Sequence, residues 1–266
     1  MKRFDCTSAL AVRILLALSL LFSGRLAFAQ ELKIAAAADL NNALREIATS
    51  YEHQSGRKLQ ITFGSSGNLT TQILNGAPFD LLLSADTGFP QQLISSGKAD
   101  ASTMTLYGRG TLVVATSASV PAPTPGSPLD VLRSSAITKI ALANPRHAPY
   151  GRAAEAALRS AGIYDAVAPK FVLGENISQT AQFVLSGDAQ AGLLALSLVK
   201  NASAAGIRWA EVPQQLYPVM NQAGVVISNS PQKAAAAEFL RYLLSPSARS
   251  ILEKYGFKSP DAGAAK

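Results

Sequence analysis

The chain has 266 residues, 48% of them apolar and 15% charged, with 24 Lys+Arg against 17 Asp+Glu and one cysteine. A single cysteine excludes a disulfide framework and a thiolate metal cluster. The basic residues are scattered and aromatic residues make up only 7%, so the clustered basic face that nucleic acid requires is missing and no such partner is expected.

The first 29 residues stand apart. Lys2 and Arg3 precede the apolar run "ALAVRILLALSLLF", which is broken only by Arg13 and Ser19, and Ala27-Phe28-Ala29 forms a small-x-small pattern. These are the marks of a secretory signal peptide cut after Ala29, and the run is short for a membrane span. Cys6 leaves with it, as do four basic residues and one acid, so that 20 basic and 16 acidic residues remain, a net +4. The expectation is an exported, periplasmic monomer whose roughly 240 residues suffice for a core without disulfides.

From residue 31 onward, short apolar runs alternate with helical spacing. "ELKIAAAA" (31–38) reads as a strand, and 40–54 as a helix with Leu40, Ala43, Leu44, Ile47, Ala48 and Tyr51 on one face. A strand at 58–63, a helix from about Gly67 to Asn75, a strand at 79–85 and a helix at 89–97 ending on Gly97 follow. This order implies a parallel sheet with crossover helices. After a long strand (110–116) and the Pro-rich loop "VPAPTPGSP", a second unit begins: strand 139–145, helix 151–161, strand 170–173, helix 177–185 and strand 189–196. The stretch 217–228 leads into two amphipathic helices and a polar tail at 259–266, expected to fray.

Two α/β units of similar size predict two lobes, about 30–111 with 220–258 and about 112–219, if the chain crosses between them at 110–116 and 217–226. A ligand would then sit beyond the carboxyl ends of the strands, among the loops 37–41, 63–68, 84–88, 144–151 and 174–178. Those loops share a chemistry: Ala38-Asp39, Ser65-Ser66-Gly67, Pro149-Tyr150-Gly151 and Glu175-Asn176-Ile177 each lead into a helix. A helix N-terminus offers unpaired N–H groups and about half a positive charge. Four of them can hold a dianion with no lysine or arginine. Taken singly, each loop also reads as ordinary capping.

Enzyme chemistry finds little support, and no cofactor is expected. Gly64-Ser65-Ser66-Gly67 lacks the spacing of a nucleophile elbow. The two histidines, His53 late in an exposed helix and His147 near the cleft rim, form no metal set. Gly97-Lys98 lacks the upstream glycine of a phosphate loop.

The ordered pattern "AAAADL…FGSSGNL…QILNGAPFDLLLSAD…NPRHAPYG…ENISQ" resembles the periplasmic molybdate-binding proteins of ABC importers, the ModA family of type II solute-binding proteins. The resemblance covers nearly the whole chain after the signal segment and implies a two-lobed fold with a hinge and a ligand cleft. It also implies capture of molybdate, with tungstate alongside, and delivery to the importer's permease subunits. Residue by residue it points to the Ala38–Asp39 loop, Ser66, Tyr150 and the N–H of Ile177, with Ser65 as a neighbour; a metal enters only as the oxyanion held by Asp39, Ser66, Tyr150 and Ile177. Other oxyanions (sulfate, phosphate) or a small organic anion share every feature except selectivity. Two departures stand out. Some members place a tyrosine where Ala195 stands here. The family commonly has Ser or Asn where this chain has Asp39. Either Asp39 caps the next helix through the amides of Asn41 and Asn42, or it accepts a proton from a protonated oxyanion.

Overall fold

The structure is a computed structural model that describes residues 31–202 and 206–260. The expected signal segment, its cleavage point and the end of the polar tail lie outside the described residues.

Two five-stranded sheets form the frame. The first contains β1 (Leu32–Ala37), β2 (Leu59–Gly64), β3 (Leu81–Ser84), β4 (Thr105–Arg109) and β10 (Asn221–Val226), in the order β2-β1-β3-β10-β4. The second contains β5 (Leu112–Thr116), β6 (Ile140–Ala143), β7 (Phe171–Gly174), β8 (Ala191–Ala195) and β9 (Arg208–Glu211), in the order β7-β6-β8-β5-β9. β1 runs parallel to β2 and β3, and β6 runs parallel to β7 and β8, as alternating strands and helices require. β3 and β6 are buried along their whole length, which is why they read as unbroken apolar runs.

The far sides of both sheets add antiparallel strands to this parallel part. β10 pairs antiparallel with β3 and β4, and β5 pairs antiparallel with β8 and β9. The expected strand 110–116 is a shorter β5, preceded by the unanticipated β4 in the other sheet; Gly110 and Thr111 make the passage between them. The return at 217–228 becomes strand only over Asn221–Val226. Ile61 of β2, paired with Ile34, shows the in-register packing that fixes the first sheet.

Helices α1 (Asn41–Ser55), α2 (Ser66–Leu74), α3 (Gly88–Ser95), α4 (Pro149–Ser160) and α5 (Ile177–Leu185) follow strands of the parallel part of each sheet, and α6 (Lys233–Leu243) and α7 (Pro246–Lys254) close the chain. α1 buries Ala43, Leu44, Ile47, Ala48 and Tyr51, and ends where Gly56 turns to φ 69°, a conformation open to glycine at little cost. Tyr51 meets Phe239 of α6 edge-on, centroids 4.9 Å apart, so the C-terminal helices pack on the first sheet. Burying a ring such as that of Phe239 contributes about 1.5–3 kcal/mol. Among the described residues, no helix is long and apolar enough to cross a membrane.

Candidate functional site

All six expected site residues, Ala38, Asp39, Ser65, Ser66, Tyr150 and Ile177, line one cleft. Ala37, Gly64, Ala85, Ala148 and Pro149 complete its wall, so among the described residues no Lys, Arg or His lines it. The wall therefore offers hydroxyls and main-chain N–H groups as its donors.

Each donor is set by local structure. Ser65 is extended (φ −72°, ψ 142°) and its Oγ accepts from the N–H of Asn68, capping α2. Ser66 is 1% exposed, and its Oγ accepts from the N–H of Ala85 at 3.1 Å. That bond leaves the Ser66 hydroxyl proton to point elsewhere. Asn176 caps α5, accepting from Ser178 and Gln179 at 3.0 Å each. Pro149 opens α4 at the position where a missing N–H costs nothing. The N–H groups of Ser66, Tyr150 and Ile177 then fall in first helical turns, outside the ladder. Three α-helices start here. The fourth expected helix start is instead a 3-10 turn, Ala38–Leu40, with α1 beginning at Asn41.

Asp39 does not cap α1. The residue before that helix is Leu40, which makes no side-chain cap bond. The Asp39 carboxylate is fully buried and turned instead to Gln222 of β10, whose Nε2 donates to Oδ2. The Tyr150 hydroxyl donates to the same carboxylate. Oδ1 has no hydrogen-bond partner among the described residues. Tertiary pairing thus overrides the local capping preference. Tyr107 of β4 extends the chain of contacts, its hydroxyl 3.0 Å from Gln222 Oε1 and 3.0 Å from the Ser84 carbonyl. Burial pushes the Asp39 carboxyl up to about 6, against the opposing pull of the Gln222 and Tyr150 hydrogen bonds. Burial, and then the Asp39 charge, push the phenols of Tyr150 and Tyr107 well above their usual range. Tyr150 therefore spends its phenol on Asp39, while its N–H falls in the first turn of α4. A β-carbon on Gly110 would collide with the Tyr150 hydroxyl and lie 3.0 Å from Gln222 Nε2, so the crossing point must be glycine for this packing.

Sequence reasoning missed Gln222 and Tyr107, which lie on strands that carry no local motif. It placed His147 near the rim but missed the ion pair there. Arg152 of α4 pairs with Asp86 beyond β3, and its guanidinium lies 5.0 Å from the Phe89 ring centre. His147 meets Ser65 Oγ through Nδ1 at 2.9 Å, and its carbonyl accepts from the N–H of Gly67 at 2.9 Å. His53 is exposed, as expected. Ala195 ends β8 fully buried in the second core, with no hydroxyl to offer.

Two mixed sheets with a donor-lined cleft at their strand ends define a two-lobed solute-binding protein rather than an enzyme. Residues 32–258 match the family model of bacterial extracellular solute-binding proteins, and the chain belongs to that family. Its particular likeness is to the molybdate-binding protein ModA. It is 34% identical to ModA of Azotobacter vinelandii over 233 residues (86% of this chain, 90% of the relative). It is also 34% identical to ModA of Rhodobacter capsulatus over 231 residues (87% and 89%). The solved periplasmic molybdate-binding protein of Azotobacter vinelandii superposes with a TM-score of 0.81 at 30% identity, covering 87% of this chain and all of that one.

Proposed function

We propose that this protein captures molybdate, and tungstate of the same shape and charge, and hands it to an ABC importer. Lobe one comprises about 30–111 with 220–258, lobe two about 112–219, and the anion bridges them. The observation that carries the reading is the meeting of Ser66, Tyr150 and Ile177, each in the first turn of its helix, along one cleft that no cationic side chain lines among the described residues. Such an array of helix-start donors suits a small dianion. The relatives named for molybdate binding supply the identity of the anion. Ser65 positions its neighbour and caps α2. The ligand favours the closed arrangement in proportion to the contacts it makes only there. The chain acts outside the cytoplasm, exported by a signal peptide cut after Ala29, and presents the closed form to the permease subunits as a monomer.

Calorimetric titration of the protein, stripped of anion, with molybdate, tungstate, sulfate and phosphate tests this. Tight binding of the first two and weak or no binding of the others is expected. Preference for sulfate or phosphate would move the protein to another oxyanion, and silence toward all four would refute oxyanion capture.

A further inference from the structure

The carboxylate of Asp39 is an unusual wall for an anion site. It is fully buried, it lines the cleft, and its Oδ1 has no partner among the described residues. Among the described residues no cation compensates it. Toward it face Gln222 from β10 and Tyr150 from α4, with Tyr107 of β4 behind Gln222 and Asp86 beyond. α5 carries no titratable side chain, and neither does the turn Leu196–Val199, whose Ser197 donates to the Asp39 carbonyl at 2.7 Å. On α1, Arg45 donates to Asn41 and Glu46 pairs with Lys254 at the surface, both directed away. Arg152 is engaged with Asp86.

A dianion brought against an ionised carboxylate is repelled, strongly so where water is excluded. Molybdate carries no proton to donate near neutrality. A neutral carboxyl removes the conflict without moving a side chain. Oδ2, as the carbonyl-type oxygen, still accepts from Gln222 Nε2, Gln222 Oε1 still accepts from Tyr107, and Oδ1–H gains the acceptor it lacks. Burial already holds the empty site part of the way to that state.

Resting on the oxyanion reading, we propose that Asp39 takes up one proton as the dianion enters and donates it through Oδ1 to a ligand oxygen, so that capture is proton-coupled. The proton comes from solvent and returns there on release; no bond of the ligand breaks. Asp39 is then a specificity residue. A fully deprotonated dianion must recruit a proton, whereas an anion that brings its own, such as hydrogen phosphate, meets the ionised carboxylate directly.

The test is calorimetry of the stripped protein with sodium molybdate at about pH 7.5, in buffers of different ionisation enthalpy, which counts protons directly. About one proton taken up per anion is expected, with Kd rising roughly tenfold per pH unit above neutrality. Asp39→Asn, which keeps a donor but cannot titrate, should show no proton uptake and a flat pH profile. Molybdate binding by the wild type with no proton uptake overturns the proposal and leaves oxyanion capture standing. So does an unchanged slope in Asp39→Asn. If no oxyanion binds the wild type at about pH 6 or 8, the underlying reading fails and this one with it. Should the variant not fold, the wild-type proton count alone decides.

Discussion

The guanidinium of Arg152 reaches Asp86 at 2.5 Å, joining the start of α4 in one half of the molecule to the loop after β3 in the other. The pair lies at the cleft rim and is partly open to solvent, 43% and 22% exposed at the side chains. An exposed pair of this kind contributes about 0.2–1 kcal/mol, and stacking on Phe89 adds to it. Arg152→Ala is expected to raise the Kd for the anion about three- to fivefold, mainly through faster dissociation. Stopped-flow measurement checks this, and an unchanged off-rate would show that the pair does not hold the closed form.

The two serines separate stability from binding. Ser65→Ala removes the cap of α2, at about 1 kcal/mol, and its contact with His147. Ser66→Ala removes a buried hydroxyl that accepts from Ala85 and faces the cleft. Hydrogen bonds to a charged group are worth about 1.5–3 kcal/mol, so Ser66→Ala should weaken binding roughly ten- to a hundredfold. Ser65→Ala should lower Tm by a few degrees with a smaller loss of affinity. Thermal unfolding and titration of both variants would expose the reverse pattern if the roles were exchanged.

Asp39 also sets a pH dependence of stability. Its folded value of about 6 lies above the ordinary 3.8, so the folded chain holds the proton more tightly than the unfolded one. The stabilisation from that proton is complete below about pH 4 and is lost as pH rises through about 6. The full loss is on the order of 3 kcal/mol at 1.36 kcal/mol per unit. Asp39→Asn should therefore unfold near the wild-type temperature at about pH 4 and clearly above it at about pH 8, both without ligand. A Tm difference that does not change with pH would refute the buried-carboxyl account.

Gly110→Ala tests the passage between sheets. The added carbon meets the Tyr150 hydroxyl and Gln222 Nε2 together, so either Tyr150 is displaced from Asp39 or the backbone shifts. A loss of about 1–3 kcal/mol is expected from such overpacking, with weakened anion binding beside it. Gly110→Ala in a Tyr150→Phe background should recover part of the stability, because the phenol oxygen that collides is gone.

Much of this arrangement is legible from local pattern. The parallel strands, the helix that Tyr51 anchors and the loops that gather at the cleft all announce themselves through periodicity and punctuation. Ser65, Ser66, Tyr150 and Ile177 stand at helix starts that this pattern reveals, although singling them out took the resemblance to a known family. What stays hidden is pairing at a distance. Gln222 stands 183 residues from Asp39 in the chain, and nothing near either residue records that they meet. By local preference Asp39 looks like a cap, yet the turn at Ala38–Leu40 moves the helix start past it. β4 and β9, four or five residues each, have too little length for a clear alternation and exist because an antiparallel partner accepts them.

The place of β10 between β3 and β4 bears on the order in which the molecule comes into being. The strand that joins β4 to the rest of the first sheet is supplied by residues 221–226, close to the end of the chain. β4 joins the sheet only once that segment has arrived, whereas the strands β5 to β9 are contiguous and can assemble earlier. A chain built this way completes its first sheet last. Pulse-labelled hydrogen exchange during refolding should show Val113, Leu142 and Leu193 protected before Ile34 and Leu82, and the opposite order would mean that the first sheet closes without its last strand.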